Sequence, residues 1–317
     1  MVYLLLTILG FFPLIYGANL LVDSASSLAY RLRIPPLVIG LTIVAFGTSA
    51  PEMVVNVLAS FSGSSQIVMG NIIGSNIANI LLILGISSII YPIGVGKSTT
   101  WIEIPLSLLS VVILLFLAND SFFGEGPVSA ITFLDGVVLL AFFLVFLTYT
   151  ISLSLSKGPD QSIEVKSYSI SLASVLLIIG IGLLILGGRL IVDNATTFAR
   201  NLGISERIIG LTIISIGTSL PELATSIIAA IKKQADIAIG NVVGSNIFNV
   251  FFILGLSALI APIEGSFQVN IDLTVNVIAS LALFLFIFTG KGRRIERWEG
   301  ILLFGFYSAY MGYLIVF

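Results

Sequence analysis

The chain repeats itself at long range, and this repeat limits its fold more than any other feature. Gly47-Thr48-Ser49-Ala50-Pro51-Glu52 recurs as Gly217-Thr218-Ser219-Leu220-Pro221-Glu222, an offset of 170 positions. On the same offset Gly40-Leu41-Thr42-Ile43 meets Gly210-Leu211-Thr212-Ile213, and Gly70-Asn71 meets Gly240-Asn241. Gly74-Ser75-Asn76-Ile77, Asn79 and Ile83-Leu84-Gly85 meet Gly244-Ser245-Asn246-Ile247, Asn249 and Ile253-Leu254-Gly255, and Pro92 meets Pro262. Ungapped identity over this distance predicts duplication of one structural unit. Each copy carries an acid beside a helix-breaking proline inside an apolar run.

Composition says where those runs reside. The chain is 57% hydrophobic and 9% charged over 317 residues, against about 25% charged in soluble domains. An integral membrane protein is expected, with the lipid bilayer as its partner. Lys and Arg number 14 and Asp and Glu 16, so no basic field is present to attract nucleic acid. Cys and His are both absent, which removes disulfides, thiolate or imidazole metal sites and Cys or His nucleophiles. A metal ion bound here meets only oxygen, which suits the hard cations Na+, K+, Mg2+ and Ca2+. Met1 to Ala18 is apolar, lacks a basic n-region and runs on to Val22, so it reads as a first helix and not as a signal peptide.

A hydrocarbon core takes about 20 apolar residues per helix. That rule predicts helices over 2–29, 36–61, 66–91, 101–118 and 130–154, then 168–199, 206–231, 236–261, 271–290 and 296–317. The segment 156–167, with Gly158-Pro159-Asp160, reads as a linker. It joins a first repeat (1–155, motifs at 40–92) to a second (168–317, motifs at 210–262). Five crossings per copy is an odd number, so the copies must have opposite topology. The expected fold is an all-α polytopic membrane protein, with ten transmembrane helices as two inverted five-helix repeats. Secondary transporters are built this way, with their sites near the midplane.

Positive charge orients the chain. With the N-terminus outside, the inner loops hold Arg31, Arg33, Lys97, Lys157, Lys166, Lys232, Lys233, Lys291, Arg293, Arg294 and Arg297, and the outer loops only Arg200 and Arg207. Arg189, within the sixth helix, is expected to snorkel to the outer interface. Both termini are therefore expected outside a cell membrane, and the short central loop fits a prokaryotic protein.

Pro51 and Pro221 lack an amide hydrogen and clash with the carbonyl four residues earlier, which frees the Gly47 and Gly217 carbonyls. Ala50 and Leu220, before the prolines, are biased away from helix. Each helix is expected to break at GTS-x-P, exposing carbonyls and hydroxyls beside the Glu, an arrangement suited to a cation. A simple kink in a packed helix is the plainer reading of one proline, and two prolines, each beside Glu and Thr-Ser, disfavour it. Residues three or four apart share a helix face, which groups Thr48, Glu52 and Asn56, and Thr218, Glu222 and Ser226. The next helices carry Asn71, Ser75 and Asn79, and Asn241, Ser245 and Asn249. For Asn71, Asn76, Asn241 and Asn246, interhelical hydrogen bonding and ion contact weigh equally; for Ser75, Asn79, Ser245 and Asn249, ion coordination is favoured.

Two facing Glu carboxylates and several neutral oxygens match Ca2+, which takes about six to eight oxygens in flexible geometry, whereas Mg2+ wants a tight octahedron. The same oxygens could hold Na+ when Ca2+ leaves, because two buried carboxylates without a cation are uncompensated.

The paired GTS-x-PE and GN-xx-GSN-xx-N stretches resemble the two alpha repeats of the sodium/calcium exchanger family, prokaryotic type, within the cation/calcium exchanger superfamily. The resemblance implies Ca2+ ligands at Glu52, Glu222 and the carbonyls of Thr48 and Thr218. It implies Na+ sites that add Ser49, Ser219, Ser75, Ser245, Asn79, Asn249 and the carbonyls of Ala45 and Ser215. It also implies alternating access by sliding of the first and sixth helices, no cofactor and no enzymatic activity; a monomer is the default expectation. Some members, potassium-dependent exchangers among them, carry Asp where this chain has Asn249, so K+-dependent exchange is the weaker reading. Branches that exchange Ca2+ for H+ usually replace the GTS-x-PE pattern, and its intact form here implies Na+.

A passive cation channel and an intramembrane hydrolase are the competing classes. The hydrolase is disfavoured, because each Glu sits in a duplicated hydroxyl and amide shell without a nucleophile or unequal acid and base environments. Asp23 and Asp193 read as caps or headgroup contacts, Asp135 and Glu299 as interfacial residues, and Trp101 and Trp298 as interface anchors. The cysteine-free background makes the orientation testable. A single cysteine at Gly158 is expected to resist a membrane-impermeant maleimide in intact cells and to react after permeabilisation, while one at Phe317 reacts in intact cells.

Overall fold

The computed structural model describes residues 2–119, 130–156, 166–203, 215–264, 267–290 and 292–316. Its helices are α1 (Val2–Leu32), α2 (Pro36–Thr48), α3 (Ala50–Phe61), α4 (Ser65–Ile90), α5 (Thr99–Leu117) and α6 (Phe133–Ser156). There follow α7 (Ile170–Asn201), α8 (Ser215–Thr218), α9 (Leu220–Ile231), α10 (Ala235–Ile260), α11 (Phe267–Thr289) and α12 (Arg297–Val316). Among the described residues eight helices are long and apolar enough to cross a membrane, and a ninth if α2 and α3, bent by 49°, make one span. The start of the predicted 206–231 helix, with Gly210 to Ile213 and Arg207, lies outside the described residues, as do Lys157, Lys291 and most of the linker.

The two helices carrying the Asn and Ser stripes form the centre of the molecule. In α4 and α10, 78% of the most apolar window is buried, against 22–39% for the other long spans. A helix that is apolar all round belongs in the interior, and here the few polar residues it carries are interior too. Around this centre α1 and α7 pack along their length on small residues. A Cβ built at Gly17 would lie 2.8 Å from the Gly180 carbonyl, and one at Gly187 would lie 2.6 Å from the Leu14 nitrogen. Only glycine lets the two backbones approach this closely.

Several expectations are corrected. The fold is mostly helical, with two short ladders between loops: β1 (Ile93–Gly94) pairs antiparallel with β4 (Arg294–Ile295), and β2 (Ala130–Ile131) with β3 (Ile263–Glu264). Strands of two residues carry no periodic signal, so tertiary proximity alone creates them. Wide turns, bonded beyond the α-helical spacing, occupy Gly40–Val44, Ala78–Leu84, Thr99–Glu103 and Phe248–Leu254. Turns of this kind recur at functional sites, and two of them hold Asn79 and Asn249.

Asp23 is not a helix cap. It lies inside α1 and pairs with Lys166 at 2.8 Å and Lys232 at 2.7 Å, partners 143 and 209 positions away. The Asp23 carboxylate holds the Lys166 ammonium above its usual range by hydrogen bonding and charge. A raised lysine pKa favours the folded chain below the lysine's unfolded value and loses that effect as pH rises through the folded one, so the pair is intact at neutral pH. Exposed pairs of this kind add little stability. Glu299 is fully buried, and it caps α12 by accepting hydrogen bonds from the Glu296 backbone N–H at 2.6 Å and from the Thr289 hydroxyl. Asp135 caps α6 in the same way, accepting from Thr132 N–H at 2.8 Å and Thr132 Oγ1 at 2.7 Å. Trp101 and Trp298 are about half exposed, as expected, and each packs on phenylalanines of α11.

The glycine seam predicts a contrast. Gly187→Ala is expected to destabilise the detergent-solubilised protein by about 1–3 kcal/mol through overpacking. Gly182→Ala, where an added Cβ meets nothing within 4 Å, is expected to leave the thermal midpoint unchanged or slightly higher. Equal midpoints for the two variants would contradict the close packing of α1 on α7.

Candidate functional site

The GTS-x-PE stretches do interrupt their helices, one residue earlier than the proline rule suggests. Ser49 (φ −81°, ψ 7°) and Ser219 (φ −88°, ψ 9°) are the non-helical residues, while Ala50 and Leu220 already begin α3 and α9. The shift has a simple cause: with the break at the serine, the proline falls in the first turn of the new helix, where no amide hydrogen is needed. Glu52 and Glu222 then also lie in a first turn, where the helix dipole favours an anion.

The two acids are brought together with serines of the opposite half. Glu52 and Glu222 are each 1% exposed. Ser49 Oγ lies 2.9 Å from Glu222 Oε1 and 3.0 Å from Ser245 Oγ. Reciprocally, Ser219 Oγ lies 3.3 Å from Glu52 Oε1 and 3.2 Å from Ser75 Oγ. Ser245 also reaches Glu222 Oε1 at 3.4 Å. All four serines are buried, so each carboxylate is held from across the repeat boundary by neutral hydroxyls alone. Among the described residues no group of three or more His, Cys, Asp or Glu side chains comes together. Among the described residues two carboxylates supply the charge here, and the oxygens around them are neutral.

The threonines are tied by their side chains. Thr48 Oγ1 lies 3.0 Å from Asn241 Oδ1, and Thr218 Oγ1 lies 3.3 Å from Asn71 Oδ1. Asn241 in turn donates to Ser226 Oγ at 3.0 Å and to the Glu222 carbonyl at 3.3 Å, and Asn56 donates to the Glu52 carbonyl at 2.7 Å. The Ala45 carbonyl accepts from Ser49 N–H at 3.0 Å and from Thr48 Oγ1 at 3.2 Å. Ser215 belongs to α8, and its side chain lies outside the described residues.

Asn79 and Asn249 turn their amide nitrogens toward partners on the opposite central helix. Asn79 donates to Asn246 Oδ1 at 2.9 Å and Asn249 to Asn76 Oδ1 at 3.0 Å. Among the buried oxygens left unpartnered are Glu52 Oε2, Glu222 Oε2, Asn79 Oδ1 and Asn249 Oδ1. Asn56 Oδ1 and Asn71 Nδ2 are unpartnered as well. Buried polar atoms normally find a partner, and bare acceptor oxygens beside two carboxylates are what a cation would satisfy. A cavity of about 230 Å3 opens beside the breaks, lined by Pro51, Gly188, Arg189, Asp193, Thr218 and Pro221 among others.

The repeat did not flag Asn276 on α11, buried with no partner for its side-chain polar atoms; Ser280, also buried and unpartnered, has its counterpart in Ser110. α11 also carries Gln268, Asn270, Asp272 and Thr274, so a further amide gave no distinct signal, and position 106, the counterpart of Asn276 in the first half, is leucine.

The family model for sodium/calcium exchanger proteins matches residues 2–152 and 172–316. The chain belongs to the sodium/calcium exchanger family. It is similar to the sodium/calcium exchanger MaX1 of Methanosarcina acetivorans, 33% identical with 97% of each chain covered. It is also similar to the inner membrane protein YrbG of Escherichia coli K12, 37% identical with 98% of this chain and 95% of the other covered. Among solved structures, the sodium-calcium exchanger NCX_Mj matches with a TM-score of 0.84 at 34% identity, covering 98% of both chains. Membership of this exchanger family and a structural match along the whole chain make it a membrane transporter.

Two buried carboxylates without a counter-charge among the described residues predict stabilisation by ligand. Ca2+ is expected to raise the apparent melting temperature saturably, by the equivalent of about 2.7 kcal/mol at a hundredfold excess over Kd. The Glu52→Gln/Glu222→Gln variant is expected to give no shift.

Proposed function

We propose that this exchanger moves Ca2+ against Na+ across a cell membrane by alternating access. In this reading ten spans form two inverted five-helix repeats, 1–155 and 168–317, joined by an inner-face linker at 156–167, with both termini outside. The ions bind near the midplane where the repeats meet. One observation carries the reading: both carboxylates and both central amides keep a buried oxygen without a hydrogen-bond partner.

Ca2+ is held by Glu52 and Glu222 with the carbonyls of Thr48 and Thr218. Two negative charges with neutral oxygens around them suit a divalent ion of flexible coordination. Na+ uses the same carboxylates together with Ser49, Ser219, Ser75, Ser245, Asn79, Asn249 and the carbonyls of Ala45 and Ser215. Because Thr48 Oγ1 contacts the Ala45 carbonyl, occupancy there requires the hydroxyl to keep only its bond to Asn241. Emptying the site leaves two buried carboxylates uncompensated. Departure of one ion therefore requires arrival of the other, and that competition couples the two fluxes without any covalent step.

The α1–α7 pair is the proposed moving body. Its glycine seam supports motion as a unit, and α7 residues Gly188, Arg189 and Asp193 line the cavity that opens beside the helix breaks. Sliding this pair across the rest would close that opening and expose the site on the other face.

Ca2+ uptake into proteoliposomes, under separately imposed Na+, K+ and H+ gradients, tests the reading. Uptake is expected only with Na+ inside, without a K+ requirement, and to fall to background in Glu52→Gln and in Glu222→Gln. Uptake driven by a pH gradient without Na+ would point to H+ exchange, and flux without any counter-ion to a channel; either outcome sinks the proposal.

A further inference from the structure

A carboxylate presents oxygen whichever way it turns, but an amide does not. Asn79 and Asn249 can serve a cation only with Oδ1 toward it, because the NH2 end repels positive charge. The two ends of an amide are told apart by their hydrogen-bond partners, and here the partner chain has a fixed end. Asn76 Nδ2 donates to the backbone carbonyl of Asn246 at 3.4 Å, which leaves Asn76 Oδ1 as an acceptor. Asn249 Nδ2 donates to that oxygen at 3.0 Å, and Asn249 Oδ1 is left buried and unpartnered. In the second pair Asn79 Nδ2 donates to Asn246 Oδ1 at 2.9 Å, leaving Asn79 Oδ1 bare. All four amides are at most 1% exposed, so water does not compete for these bonds.

We infer that Asn76, and by reciprocity Asn246, is a positioning residue whose task is to fix which end of the Asn249 or Asn79 amide faces the ion. Neither touches the ion in this assignment. The inference rests on the Na+-site reading of Asn79 and Asn249 above and adds a requirement to it: a site built with amides needs an orienting partner, whereas one built with a carboxylate at the same position does not.

The test uses the full chain in proteoliposomes and reads half-saturation for Na+ and for Ca2+ separately. Asn76→Leu removes the acceptor, and the freed Asn249 amide can turn its nitrogen inward. Na+ half-saturation is expected to rise about tenfold, the equivalent of about 1.4 kcal/mol, while Ca2+ half-saturation, governed by the two Glu, moves less than about threefold. The decisive comparison is Asn76→Leu made in an Asn249→Asp background, where the symmetric carboxylate needs no orientation. There the Na+ effect is expected to shrink below about threefold, an interaction larger than distant, independent sites show.

A purely structural role would damage both backgrounds alike, and that result overturns the inference, as does an Asn76→Leu variant with native Na+ dependence. If Asn76→Leu does not assemble, the mirror pair, Asn246→Leu with and without Asn79→Asp, decides. Failure of both leucine variants to assemble, with neither aspartate restoring them, also overturns it. A native chain whose Ca2+ flux ignores Na+ defeats the functional reading first, and that outcome is distinguishable because it needs no variant.

Discussion

Two buried carboxylates without a counter-charge among the described residues are the constraint on which the rest of the structure depends. Removing a carboxylate from water costs several kcal/mol unless charge or hydrogen bonds replace what water supplied. The chain supplies only part of that replacement: a helix N-terminus for each Glu and serine hydroxyls from the opposite half. One oxygen of each acid receives nothing. On the proposed function, a site left incomplete in this way has a standing demand for a cation, and that demand would keep the exchanger from returning empty.

The helices around the acids are shaped to serve that demand. Breaks at Ser49 and Ser219 bring the first turn of a new helix to each Glu, and wide turns at Ala78–Leu84 and Phe248–Leu254 hold Asn79 and Asn249 in the two central helices. Both are local departures from ideal helix in the most buried part of the molecule. In lipid such departures are tolerated only where the backbone is enclosed by protein or lines a polar cavity. Their position is thus tied to the site and not to the packing of the outer helices.

The periphery follows a different rule. α1 and α7 meet through glycines, and away from that seam many of their large apolar side chains face outward, as do those of α12. Their ends are fixed by exposed or half-exposed polar contacts, among them Asp23 with Lys166 and Lys232, and Arg31 with Ser167 and the Tyr168 carbonyl. A smooth, small-residue seam with polar contacts at its edge is a mechanical arrangement compatible with movement as a unit, in contrast to the interlocked amides of α4 and α10.

By itself the sequence determined what chemistry was available. The duplicated motifs, the absence of Cys and His and the paired Glu beside Pro pointed to an oxygen-only site shared by two copies of one unit, and the apolar runs placed the long helices within a few residues of where they lie. It could not say which polar residues would meet. Helical periodicity puts Asn71, Ser75 and Asn79 on one face, but it does not reveal that Ser49 would reach Glu222 rather than Glu52, that Asn76 would accept from Asn249, or that Asp23 would find two lysines. The short β-ladders, the wide turns and the capping role of Glu299 were equally invisible. The meetings of Ser49, Asn76 and Asp23 depend on contacts between residues far apart in the chain, and it is those contacts, made in a low-dielectric interior where a hydrogen bond is strong and an unmet one costly, that decide which oxygens are satisfied by protein and which are left without a partner.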